Sequence, residues 1–546
     1  MLRAGLLVLT AFWVVEALEP MQVGPIVYVE QGALRGSYLT SASGRIFAAF
    51  QGVPYARPPV GKHRFKEPVP HKPWRGVWPA TNPGSECLQW KKGLHGEEDC
   101  LFLNVYSPML PAGGAPLLNV IVNFHGGAFM YGSSELYGPK FLLDRDVILV
   151  TVNYRLGPLG FLSTEDEVVP GNMGLKDQVV ALRWVQRNIA AFGGNPASVT
   201  IAGQSAGGVS VHYHYLSPMS HGLFQRGIAM SGSAFCNWAF MENGRAKAAA
   251  LAQSLGCYTQ TSRELVDCLR HRPAGLIVQQ VPNFHGWKDE PYSPFGPTAE
   301  GAGITPFMTV HPVEAFLNGT IQDLPLLMSV TTDEGLFPAA AWITNEEILN
   351  EIETQFADVL PHILDYNNTV PEQQKQIVAD SIKQHYLQNN PLTLDTAANL
   401  VKMIGDRQFV VEVERAARFQ AAAATSPVYF YQFGTCHGDD AGYVLETEYS
   451  NVQSQPDKDM SRFLLDVWDS FAKTGKPIPA GSNLMWDPVP ADNTELAYLY
   501  IANTNHLEMR STPDLGQRAF WDSLPINEPQ IKAQYQAKQP VQHQEL

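Results

Sequence analysis

SVTIAGQSAGGVSVHYH, residues 198–214, sets a β-branched, apolar run directly against Gly203, Ala206, Gly207 and Gly208, small residues that enclose one hydroxyl, Ser205. The run before Ser205 has the pattern of a buried strand, and the residues after it are helix-compatible. An ordinary helix start needs one capping residue, not four small neighbours. A strand that turns abruptly into a helix does need them, because a Cβ at either flank would collide with the adjoining strand or helix. Gly203-Gln204-Ser205-Ala206-Gly207 fits the G-x-S-x-G pattern in that setting. The turn would hold the Ser205 hydroxyl clear of the sheet at a helix start, where backbone N–H groups favour developing negative charge.

Working outward, LLNVIVNFHGG and DVILVTVNY are further short, nearly continuous apolar runs, as expected of strands covered on both faces. Between the latter and the serine strand, GLKDQVVALRWVQRNIAAFGG carries Leu175, Val179, Leu182, Val185 and Ile189 at helical spacing and ends in a glycine pair. Strand, helix, strand is the unit of a parallel sheet, so the fold class is α/β. FQRGIAMSGSA, DLPLLMSVTTDEG and SPVYFYQFG continue the alternation. IVYVEQGALRGSYL and GRIFAAFQGVPYA read as antiparallel strands at the opening edge of the sheet. Residues 343–425 read as a helical insertion that forms a far wall. No linker interrupts the chain, which is expected to be one domain from 18 to 546, with a short polar tail from about 525.

A serine hydroxyl is a poor nucleophile until a base removes its proton and a carboxylate orients that base. His437, in a small polar loop after the run YFYQFG, is the best placed of 15 histidines. His212 and His214 read as residues on the face of the following helix. Asp333 and Glu334 both end a strand pattern beside a glycine, and spacing does not separate them. Glu300, in PTAEG, is a third carboxylate. VNFHGGAFMYGS (122–133) follows a strand, and its Gly127 and Ala128 N–H groups, with that of Ala206, could converge on one oxygen.

The formal charge of −15, from 38 basic and 53 acidic residues, counts against a nucleic-acid surface. MLRAGLLVLTAFWVVEALEP reads as a secretory signal cut near Ala17, too short for a membrane anchor. In that compartment six cysteines invite pairing, and Cys87 with Cys100 and Cys257 with Cys268 are close in sequence, leaving Cys236 and Cys436 as free thiols. Asn318 and Asn367 begin glycosylation sequons. The terminal His-Gln-Glu-Leu is similar to a retrieval address of the endoplasmic reticulum.

Together with EDCLFLNVY (98–106), FQGVPYARPPVGKHRF (50–65), NYRLGPLGFL (153–162) and GNMGLKDQ (171–178), these segments resemble the type-B carboxylesterases of the α/β-hydrolase superfamily, from about Val27 to Trp521. The resemblance implies Glu334 as the acid, His437 as the base, the two disulfides named above, and buried ion pairs of Arg64 with Glu98 and Arg155 with Asp177. It implies a hydrophobic ester as substrate, with no metal and no cofactor. Gln204, where Glu is commoner in the family, is similar to the insect juvenile hormone esterases. The basic series Lys176, Arg183 and Arg187 fits that group too, though on residues alone it reads as the solvated face of a helix. Lys91 and Lys92 beside Trp90, in a compact first disulfide loop, argue against a cholinesterase-like cation site.

Overall fold

The apolar runs become the strands of one eleven-stranded sheet. In chain order these are β1 (Ser37–Thr40), β2 (Ile46–Pro54), β3 (Phe102–Ser107), β4 (Leu118–Phe124), β5 (Val147–Val152), β6 (Gly194–Gln204), β7 (Arg226–Met230), β8 (Leu326–Asp333), β9 (Val428–Cys436), β10 (Leu496–Asn503) and β11 (His506–Thr512). The computed structural model describes residues 24–529 apart from 112, 259, 302–304, 449 and 493. The predicted leader and the His-Gln-Glu-Leu terminus lie outside the described residues.

The spatial order is β11-β10-β9-β8-β7-β6-β4-β5-β3-β2-β1. From β5 across to β10 the pairings are parallel, and antiparallel strands close both edges. This is the α/β-hydrolase architecture that the resemblance implied. The opening segment departs from expectation in one respect. Ile26–Val29 and Gly32–Arg35 leave the main sheet and pair with each other and with Val77–Pro79. The Trp74 indole N–H holds that small sheet by donating to the Ala33 carbonyl at 2.9 Å.

Both faces of the sheet are buried, which explains the unbroken apolar runs. In β5, Ile148, Val150 and Val152 face the same core as Leu175, Val179, Leu182 and Val185 of α1 (Met173–Asn188). Val147 and Leu149 face the opposite core, with Leu464, Trp468 and Phe471 of the helix Gln455–Thr474. A third apolar cluster fills the helical insertion, from Ala339 to Val411, and is closed by Trp521 and Ile526. Among the described residues, no helix is long and apolar enough to cross a membrane.

Covalent and ionic ties sit where the resemblance put them. Cys87–Cys100 and Cys257–Cys268 are bonded, while Cys236 and Cys436 are free. Arg155 grips Asp177 with two parallel bonds of 2.8 Å, both side chains buried. Arg64 pairs with Glu98 and also caps the Arg272 carbonyl at 2.5 Å. The basic series is not one solvated face. Lys176 is buried, and its ammonium sits 2.8 Å from both Glu67 and Glu300. Arg187 is exposed, near Glu30. The helical period that places the three residues on one side places the first of them under the loop carrying Glu300.

Candidate active site

Chain order and spatial order diverge at β4: β5 pairs on one side of it and β6 on the other. The loops leaving two such parallel strands diverge and leave a crevice at their carboxyl ends. The HGG loop follows β4 at that crevice, and Ser205 follows β6.

Ser205 precedes α2 (Ala206–Leu216) with φ 58° and ψ −125°, a conformation that costs a non-glycine residue about 1–3 kcal/mol. Its N–H donates to the Met230 carbonyl on β7 at 2.8 Å, and its carbonyl accepts the Val209 N–H at 2.9 Å. The small flanking residues have the reason read from the sequence. A Cβ on Gly203 would run into the Gly207 backbone, and one on Gly207 into the Phe124 carbonyl of β4.

The two predicted partners of Ser205 come from neighbouring strands. In the register of β8 and β9, Asp333 lies opposite Cys436, so the next residue on each strand, Glu334 and His437, emerge side by side. His437 Nδ1 lies 2.5 Å from Glu334 Oε2. The other carboxylate oxygen accepts the Ser231 hydroxyl at 2.6 Å and the Thr331 N–H at 2.7 Å. The imidazole is flanked by the rings of Phe337 and Phe409, with centroids at 5.3 and 4.5 Å. Its Nε2 lies 2.9 Å from the side-chain amide nitrogen of Gln204, the residue before Ser205.

The HGG loop closes the third side. A Cβ on Gly126 would stand 3.2 Å from that of Ser205. Gly127, Ala128 and Phe129 follow with φ 108°, 55° and 62°, a left-handed run closed by the Met130 and Tyr131 N–H groups, which donate to the Gly127 carbonyl at 2.9 and 3.0 Å. Ser293 fixes this loop by donating its hydroxyl to the Ala128 carbonyl at 2.9 Å. Ala206 is the first residue of α2, so its N–H has no acceptor within the helix. His125 stacks on Tyr154 at 4.3 Å, and burial drives its pKa down to about 4, so it stays neutral under the loop.

The alternatives left open by the sequence fall elsewhere. Asp333 is exposed. Glu300 is held by Lys176, Asn172 and the Phe307 N–H. His212 and His214 are wholly buried rather than on an open helix face, and burial lowers each to about 3. Both lie on α2, whose flanks are covered by the neighbouring strands and loops. Asn318 is exposed at the end of a short helix. Asn367 is half-buried, and its Oδ1 accepts from Lys375 Nζ at 2.7 Å. Sequence reasoning passed over Ser231, Ser293, Phe337, Phe409 and also Tyr137, whose hydroxyl donates to Gln204 Oε1 at 3.3 Å; of these, only Ser231 carried a signal, its MSGS turn after an apolar strand.

A cavity of about 310 Å³ lies apart from Ser205, Glu334 and His437, none of which line it. It lies behind a wall in which neighbouring residues face opposite ways. Asn237, Pro291 and Ser293 line the cavity, while Trp238 and Tyr292 pack toward Phe409 and Phe337, the rings that hold His437. Its polar lining includes Glu242, Lys247 and Asp365.

A family profile described as "Carboxylesterase family" matches residues 23–521. Esterase FE4 of Myzus persicae is 44% identical over 501 residues, covering 86% of this chain and 88% of the relative. Venom carboxylesterase-6 of Apis mellifera is 40% identical over 531 residues, covering 92% and 95%. The crystal structure of juvenile hormone esterase from Manduca sexta, with OTFP covalently attached, is similar with a TM-score of 0.80 at 28% identity, covering 91% of this chain and 99% of that one. With a strained serine at the switch point of a hydrolase sheet and a match along nearly its whole length, the chain belongs to the carboxylesterase family and is a carboxylic ester hydrolase.

Proposed function

We propose that this esterase works through an acyl-enzyme on Ser205, with His437 as general base and then acid, Glu334 as the group that orients it, and the N–H groups of Gly127, Ala128 and Ala206 as the oxyanion hole. The observation that carries this is the 2.5 Å contact of His437 Nδ1 with Glu334, which leaves Nε2 turned toward the Gln204–Ser205 turn. Ser205 Oγ attacks the ester carbonyl carbon, and its proton passes to His437 Nε2. The tetrahedral oxyanion is held by the three N–H groups until the bond to the alkoxy oxygen breaks and the departing alcohol takes the proton from His437. Water then attacks the acyl carbon, gives its proton to His437, and the released Ser205 oxygen recovers it. Glu334 accepts the Nδ1 proton's hydrogen bond and stabilises the imidazolium in each half-reaction.

The test is Ser205→Ala. Hydrolysis of a 4-nitrophenyl ester should fall by about 10⁶, and covalent labelling by an organophosphate should vanish while the thermal transition stays in place. Labelling that survives in this variant would overturn the assignment.

A narrower reading as a juvenile hormone esterase is favoured by Gln204 and by the Manduca sexta neighbour. Competition among short-acyl, long-acyl and juvenile hormone esters decides it through the ratio of kcat/KM values. We further propose passage through the secretory pathway after cleavage near Ala17, and a glycan on Asn318 in preference to Asn367, whose amide already holds Lys375.

A further inference from the structure

We infer that Gln204 is a positioning residue that keeps the base in its proton-accepting form between turnovers; this rests on the reading of Ser205 and His437 given above. Because His437 Nδ1 is directed at the Glu334 carboxylate, that nitrogen carries the proton and Nε2 presents its lone pair. In the structure Nε2 faces the Gln204 amide nitrogen at 2.9 Å. The orientation of that amide is fixed from its other end. The Gly126 N–H donates to the Tyr137 hydroxyl at 3.4 Å, and the hydroxyl donates to Gln204 Oε1 at 3.3 Å. The amide therefore presents its NH₂ to the imidazole. Gly438 makes room for it, since a Cβ there would lie 3.2 Å from the amide nitrogen.

An N–H donor can bond Nε2 only while Nε2 is unprotonated. Once the imidazole takes a proton, two donors face each other, so Gln204 favours the neutral base and gives way when Ser205 delivers its proton. A carboxylate at the same place would do the reverse and hold the imidazolium. The other charged or titratable groups around the ring are the same in either case. Glu334 is at Nδ1, with Asp440 behind it on Ser329 and Tyr431, and Cys436 and Asp439 lie in the loop of His437. Phe337 and Phe409 cover its faces.

The experiment compares pH profiles of kcat/KM for the wild type, Gln204→Glu, Gln204→Met and Tyr137→Phe, with a 4-nitrophenyl ester. The acid limb should move to higher pH by about one unit or more in Gln204→Glu, so that the ratio of activity at pH 6 to activity at pH 8 drops about tenfold. Gln204→Met, which lacks the donor but adds no charge, should fall between the wild type and the Glu variant. Tyr137→Phe frees the amide without touching a reacting atom, and should move the limb the same way by less; it also serves if the Gln204 variants do not fold. Profiles that superimpose on the wild type after scaling, or a Met variant displaced as far as the Glu variant, would overturn the inference. Loss of hydrolysis in Ser205→Ala alongside superimposed profiles would overturn the role of Gln204 alone; retention of hydrolysis in Ser205→Ala would remove the reading beneath it.

Discussion

The proposed reaction centre and the 310 Å³ cavity share a wall, yet their polar groups are held in different ways. At the proposed centre each carboxylate oxygen and ring nitrogen has its own partner. Glu334 spends one oxygen on Ser231 and Thr331 and the other on His437, and the His437 ring is fixed by two aromatic side chains. The backbone there is strained at Ser205, Ala128 and Phe129, and paired strands hold that strain in place. In the cavity, Lys247 donates to the Pro294 carbonyl, while burial pushes Asp365 up to about 6 and raises Glu242, the latter also through the charge of Asp365. Polar groups converge on one atom in the first region and share a space in the second. The proposed site is therefore marked by convergence rather than by volume or polarity.

The comparison is tested most severely by Glu334→Gln, which keeps the size of the side chain and removes the acceptor that sets the His437 tautomer. Turnover should fall by about 10⁴ with little change in the thermal transition; a fall of less than tenfold would show that the 2.5 Å contact is ornamental. Next comes Arg155→Leu, which touches neither Ser205, Glu334 nor His437 and leaves Asp177 buried without its bidentate partner. It should lower stability by about 3–5 kcal/mol by denaturant titration, with kcat per folded molecule unchanged.

Gly127→Ala attacks the oxyanion loop. Its φ of 108° disfavours any side chain, and a Cβ would run into the Tyr131 carbonyl. We expect kcat to fall by about 10² to 10³ with KM nearly constant; an equal rise in KM would mean that the loop binds ester rather than transition state.

The smallest effect belongs to the cavity. A carboxyl whose native pKa is raised supports the fold below its unfolded value and loses that contribution as pH climbs through the native value, about 6 for Asp365. Asp365→Asn should therefore raise the midpoint of thermal unfolding at pH 7.5 relative to pH 5, by about 1–2 °C for a chain of this length, and leave kcat/KM within about twofold. A large loss of activity would make the cavity part of the reaction centre. Alkylation should also leave activity intact, because burial and then Asp439 push the Cys436 thiol up to about 12.

Much of the site was legible in the chain because it sits at strand ends. GQSAGG and HGG are contiguous, and the steric need for small residues at a strand-to-helix turn is local. The choice of Glu334 over Asp333 was not legible from spacing, because it depends on a one-residue irregularity in the pairing of β8 with β9. Lys176 was read as solvated because a helical period says which side of α1 it occupies, but not which loop covers that side. The aromatic sandwich of His437 was invisible for the same reason: Phe337 lies just after β8 and Phe409 lies within the insertion, far along the chain.

The sequence by itself indicated the class of fold and the G-x-S-x-G turn, since each rests on periodicity or on the sterics of a few consecutive residues, while loop context and family resemblance pointed to His437 and to the two cysteine pairs. Only the tertiary structure decided how the Glu334 carboxylate meets His437, which nitrogen of that ring faces Gln204, and where the described cavity lies. Those outcomes depend on the register between strands and on side chains brought together from distant segments, and neither is written in any short stretch of the chain.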